Sequence, residues 1–282
     1  MIELGANQYG KSEVRVVRVD RDGARHEITD LNVSVALSGD LADTHLTGAN
    51  DKVLTTDAQK NTVHAFAREG IGPVEEFGTR LARHFVDSQP SIHQAHVSIE
   101  QYPWSRIGAD GEPGPHSFTR SGSGTRRAVV HYDGERARVS AGITDLTVLN
   151  TTDSEFWGFV KDRYTTLAET KDRILATAVT AEWDYAAGTP IDWNGCYERA
   201  RADLLAAFAG TYSLSLQQTL YAMGERVLTG IEEITEIRLS LPNKHHFLAD
   251  LSPFGLDNPG EVFYASDRPY GLIEGTVRRT ES

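Results

Sequence analysis

Apolar residues recur at every second position in EVRVVRV (13–19) and again in HEITDLNVSVAL (26–37), with the polar RDGAR (21–25) between them. A period of two places one set of side chains on one face, which predicts two half-buried antiparallel strands joined by a turn. The spacing then lengthens. DAQKNTVHAFARE (57–69) opens with Asp57 at the N-cap position, and PVEEFGTRLARHFVD (73–87) aligns Val74, Phe77, Leu81 and Phe85 on one helical face. Period two returns in SIHQAHVSIEQY (91–102) and in RRAVVHYDGERARVSAGITDLTVL (126–149), the latter folded about Asp133 and Gly134. The first half therefore reads strand, strand, helix, helix, strand, strand.

The second half repeats this order. After a short helical stretch predicted at SEFWGF (154–159), KDRILATAVTAEWDY (171–185) predicts a long alternating strand. DWNGCYERARADLLAAFAGTY (192–212) and SLSLQQTLYAMGERVLTG (213–230) carry helical apolar spacing, and IEEITEIRLSL (231–241) predicts a closing strand. The strand is then broken by LPNKHHF (241–247): Pro242 and Asn243 are turn residues, and the adjacent His245 and His246 point to opposite faces of any extended segment. The expected class is α+β, with two tandem ββααββ units at 1–133 and 134–282 and helices on one face of antiparallel sheets. Sheets of this kind leave edge strands to be covered, so closure by oligomerisation is expected.

Composition narrows the chemistry. The 282 residues are 39% hydrophobic and 24% charged, ordinary proportions for a folded soluble chain. A formal net charge of -12 argues against nucleic acid as a partner, since phosphate binding needs a basic footprint. Cys196 is the single cysteine, so neither an intramolecular disulfide nor a thiolate zinc site is expected, and a reducing compartment suits the chain. The start, MIELGANQYGKSEV, lacks the apolar core of a signal peptide, no run reaches the ~18 apolar residues of a membrane span, and the final RRTES is not a peroxisomal address of the Ser-Lys-Leu type. The expected location is the cytoplasm, without a membrane partner.

Several apparent motifs are set aside. His93 and His96 in HQAH are offset by three in a predicted strand and so fall on opposite faces, which disfavours a shared metal. GSGTR (122–126) joins two strands and does not open a helix, so it is a hairpin tip and not a phosphate cradle. Gly-x-Ser-x-Gly, HExxH and Walker patterns do not occur.

Three segments taken together carry a resemblance: YGKSEVRV (9–16), LTVLNTTDSEFWGFVKDRYTTLAETKDR (146–173) and LPNKHHF (241–247). They resemble urate oxidase, the cofactor-free uricase family, and TDAQKNT (56–62) and SLSLQQTLYAMGE (213–225) fit the same family. The resemblance implies a tunnelling fold (T-fold), with a homotetramer closing a barrel and active sites between subunits. It implies oxidation of urate by dioxygen and water to 5-hydroxyisourate and hydrogen peroxide in purine degradation, with no metal, flavin or other cofactor. A non-catalytic purine- or pterin-binding protein of the same fold is the alternative.

The resemblance also implies roles for particular residues. Arg173 and Gln217 match the pair that clamps opposite edges of the purine, Phe156 matches the ring stacked on its face, and Leu167 and Leu216 match pocket walls. Lys11, Thr56 and His245 match a proton relay, a hydroxyl being a poor base without a neighbour to take its proton. Asn243 matches the amide that, with Thr56, holds dioxygen or water above the ring, and Asp57 would offer its backbone N–H to the anion. Lys11, Thr56, Asp57, Asn243 and His245 are expected from one protomer, and Phe156, Arg173 and Gln217 from its neighbour. His246 departs from an aromatic residue common in the family at that position, a change expected to affect packing more than chemistry.

Overall fold

The structure, a computed structural model, describes residues 1–108, 112–186, 188 and 190–280, apart from the side chain of Asp267. Residues 281 and 282, the end of the expected second unit, lie outside the described residues. The chain divides into two compact units, Met1–Gly142 and Ile143–Ser282.

The first unit contains β1 (Tyr9–Asp20), β2 (Glu27–Gly39), a short α1 (Ala42–Leu46), α2 (Thr56–Glu69), α3 (Val74–Asp87), β3 (Ile92–Tyr102), β4 (Trp104–Arg106), β5 (Phe118–Arg120) and β6 (Thr125–Tyr132). It ends within β7 (Ala137–Asn150). Its sheet runs β1-β2-β3-β6, with β4 and β5 as a separate pair. Val33 and Leu37 of β2, Val97 and Ile99 of β3 and Val130 of β6 join Val63 of α2 and Phe77, Leu81 and Phe85 of α3 in one core. Each such side chain removed from water contributes roughly 1.5–3 kcal/mol. A Cβ on Gly78 would lie 2.9 Å from Val130 Cγ2, so glycine lets α3 approach the sheet. Glu75 and Arg126, both buried, meet there at 2.7 Å.

The second unit contains the rest of β7, then β8 (Leu175–Tyr185), α4 (Trp193–Gly210), α5 (Leu216–Gly230), β9 (Ile234–Leu248), a 3-10 turn (Ser252–Phe254) and β10 (Phe263–Arg278). The strand order is β7-β8-β9-β10. Helix α4 packs on α5, and α5 packs on β9 and β10. Asp192 and Ser215 cap the helices, accepting from Gly195 N at 3.0 Å and Gln218 N at 3.2 Å.

Four local expectations are corrected. The cap of α2 is Thr55, whose Oγ1 accepts from Ala58 N at 3.1 Å, and Asp57 stands inside the first turn. SEFWGF is extended and not helical: Phe156 and Thr170 exchange two backbone hydrogen bonds, Glu155 N donates to Ser213 O, and Gly158 has φ 74. Those cross-segment partners satisfy the backbone groups that a helix would have paired internally. Strand β8 begins at Leu175, and Leu175–Val179 is buried continuously because both faces of that stretch are covered. Finally, β9 runs straight through Pro242 to Leu248. Pro242 pairs in step with Leu272 of β10, and the irregularity in that ladder falls beyond it, between the Asn243–Gly271 and His245–Ser266 pairs. The last strand, β10, had no clear alternation to announce it; it contains Pro269, Gly271 and Gly275 and is largely exposed.

Candidate active site

In the first unit, β1 and α2 bring three expected residues together. Lys11 stands opposite Val35 of β2, just before a register shift that ends at Val14. The neighbouring Gly10 has no alternative, since a Cβ would sit 1.8 Å from the Val35 carbonyl oxygen. Helix α2 begins at Thr56, so the N–H groups of Thr56 and Asp57 are first-turn donors without intrahelical acceptors, at the positive end of the helix dipole. The Asp57 carboxylate binds Lys60 Nζ at 2.5 Å and Asn61 Nδ2 at 2.9 Å. The Lys60 hydrogen bond, aided by the charges of Lys60 and Lys11, holds this carboxyl below the usual range. Lys11 and the start of α2 are thus within electrostatic reach of one another.

In the second unit Phe156, Arg173 and His245 lie near one another, and Asn243 shares a strand with His245. Period two along β9 puts Leu239, Leu241, Asn243 and His245 on one face, so the face that is apolar core at Leu239 and Leu241 becomes polar at its end. Asn243 is flanked by Thr177 of β8 and Gly271 of β10. Arg173 precedes β8. Its Nε donates to Ser154 Oγ at 3.3 Å, and its guanidinium carbon lies 5.2 Å from the centre of the Phe156 ring. Phe156 in turn stacks on Phe159 at 5.0 Å.

Burial pushes the Arg173 pKa down, and it also pushes down that of His245, which the nearby Arg173 and His246 charges depress further. His245 therefore lies within electrostatic reach of Arg173 inside one unit, whereas the expected grouping set Asn243 and His245 apart from Arg173. Leu216 is buried at the first position of α5, and Gln217 follows, exposed. The helix uses Gln218, not Gln217, to close its cap, through Leu214 N to Gln218 Oε1 at 2.7 Å. Leu167 is 52% exposed on the loop before β8.

Two residues escaped the sequence reading. Ser154, fully buried, anchors Arg173, and Thr177, fully buried, stands beside Asn243. Nothing about a serine or threonine in such segments signals a site until the fold supplies the neighbours. His93 pairs with Asp40 at 3.2 Å while His96 stands opposite His131, so the HQAH histidines serve different partners. Among the described residues no group of three or more His, Cys, Asp or Glu side chains could hold a metal ion, and no helix is long and apolar enough to cross a membrane.

The chain matches the family described as uricase over residues 7–131 and 139–274. The chain belongs to the uricase family. The uricase of Arthrobacter globiformis is 52% identical over 281 residues, covering 100% of this chain and 91% of the relative. That of Dictyostelium discoideum is 38% identical over 286 residues, covering 100% and 99%. The crystal structure of the Arthrobacter globiformis uricase superposes with a TM-score of 0.95 and covers 100% of this chain and 96% of that one. A hyperthermostable mutant of the Bacillus sp. TB-90 urate oxidase, at 22% identity and a TM-score of 0.85, shares the fold over 98% of this chain and 100% of its own. The fold is that of the uricases, two T-fold units in one chain, and the activity is that of a urate oxidase, an oxidoreductase acting on urate with dioxygen as acceptor.

Proposed function

We propose that this uricase converts urate, dioxygen and water to 5-hydroxyisourate and hydrogen peroxide without metal or organic cofactor. Triplet oxygen reacts slowly with closed-shell molecules, so a site lacking a redox group must make the substrate itself the electron donor by removing protons from it. The observation that carries the reading is the pairing of a desolvated guanidinium with a neutral-leaning imidazole on one polar patch: Arg173 over Phe156, with His245 in its field. A planar cationic fork favours a flat anion, and stacking on Phe156 adds roughly 0.5–1.5 kcal/mol beyond area. A depressed imidazole pKa keeps His245 available as a base near neutral pH.

In this reading Arg173 and Gln217 clamp opposite edges of urate, Phe156 stacks on its face, and Leu167 and Leu216 wall the pocket. Asn243 holds dioxygen or the attacking water. His245 passes protons to Thr56 and Lys11, and the Asp57 N–H meets the anion. The two groups of residues meet between subunits of a homotetramer: Lys11, Thr56 and Asp57 come from one protomer, and Phe156, Leu167, Arg173, Leu216, Gln217, Asn243 and His245 from its neighbour. Two electrons leave urate and reduce one O2 to H2O2, and the hydroxyl of the product comes from water.

The test is the loss of urate absorbance in air by chelator-treated enzyme, with one peroxide formed per urate consumed. Failure of the treated protein to consume urate, or recovery only on adding iron, copper or a flavin, refutes the cofactor-free reading. Full turnover by a proven monomer refutes the shared site.

A further inference from the structure

Thr177 is 0% exposed, yet its Oγ1 meets no hydrogen-bond partner among the described residues. A buried hydroxyl left unpaired is costly, and native structures retain such groups where something else satisfies them. Its place is specific. In β8 it faces the same way as Val179, Ala181 and Trp183, the core side of the strand, and it stands directly across from Asn243 of β9. Directly opposed residues on adjacent strands project side by side, with Cβ atoms about 4.5–5.5 Å apart, a gap that one water molecule bridges. Asn243 is only partly covered, so the pair runs from the closed core to the open patch that holds His245.

We propose that Thr177 is a positioning residue for Asn243: its hydroxyl and the Asn243 carboxamide hold one water between them, which fixes the plane of the carboxamide. An amide can present either its oxygen or its NH2 to a ligand, and a fixed partner on one side decides which. With the water anchored at Thr177, the carboxamide keeps one orientation toward the small oxygen species that it handles. This inference rests on the role proposed for Asn243.

The experiment compares Thr177→Val, Thr177→Ser and Asn243→Ala in the assembled enzyme. Valine keeps the β-branched shape and removes only the hydroxyl, so the fold should persist. Loss of one such hydrogen bond at a reacting group should lower kcat about tenfold in Thr177→Val, leaving KM for urate within about twofold. Thr177→Ser should restore most of the rate, and a crystal structure of the wild type should show the bridging water, lost in the valine variant. A purely structural threonine would change thermal stability and leave kcat unmoved. Wild-type kcat in Thr177→Val together with a slow Asn243→Ala overturns the inference alone, and an Asn243→Ala enzyme of normal rate overturns the reading of Asn243 itself. Valine and serine variants that are equally slow also overturn the hydroxyl's role.

Discussion

The two ends of the proposed catalytic apparatus differ in their electrostatics. Around the half-buried Lys11 and Thr56, the exposed Asp57 carboxylate is compensated by Lys60 and Asn61, and the helix start contributes its dipole. Around Arg173 and His245 the guanidinium is partly desolvated and meets no carboxylate among the described residues, and burial lowers both pKa values. Solvated, paired charges contribute little binding energy but exchange protons readily, whereas a desolvated cation interacts strongly with an anion because little water screens it. The first region suits proton traffic, and in the second Arg173 suits gripping the substrate while His245 joins the proton traffic. Substitutions of Lys11 or Thr56 should therefore act on rate, and those of Arg173 on affinity.

The largest effect should come from the solvated region. Lys11→Ala and Thr56→Ala should each lower kcat by about 10²-fold or more, the usual contribution of a positioned proton-transfer group, while binding of a non-oxidisable purine analogue stays near normal. Stopped-flow turnover with equilibrium titration of the analogue checks this, and a comparable loss of both would dissolve the contrast. A smaller change is expected from Arg173→Lys, which keeps the charge and loses the planar fork. KM for urate should rise roughly tenfold to a hundredfold, with kcat less affected, as loss of a charge-assisted hydrogen bond implies.

The smallest concerns pH. His245 has its folded pKa below the ordinary imidazole value of about 6.5, so as pH falls the unfolded chain takes up this proton before the folded one does. Its contribution to stability is fully present above the ordinary value and is lost as pH drops from there through the depressed folded value. His245→Gln should flatten that part of the profile of Tm against pH between about 8 and 5, and an unchanged slope would show that His245 is not desolvated.

Most of the architecture was legible in the chain. Period-two and helical spacing located the four long helices and most of the long strands, though not α1, β4, β5 or β10, and Phe77, Leu81 and Phe85 were readable as core because helical spacing alone places them on one stripe. Reading failed where partners distant in sequence decided local structure. Phe156 is extended because Thr170 and Ser213 bind that segment, and the turn residues Pro242 and Asn243 lie within a strand because they pair with Leu272 and Gly271 of β10. Single residues in isolation said little about the site: a lysine at a strand start or a glutamine at a helix start is ordinarily solvated. It was the joint pattern across 9–16, 146–173 and 241–247 that pointed to the chemistry.

What the sequence determined by itself was periodicity, and so most of the long elements, their faces and the α+β class, because side-chain alternation is a local property of the backbone. The tertiary structure decided which polar groups became neighbours and how dry they are. The register of β8 on β9 set Thr177 beside Asn243, and folding brought Ser154 to the Arg173 guanidinium. The burial that shifts the pKa values of Arg173 and His245 comes from several segments packed together, and no stretch of chain encodes that alone.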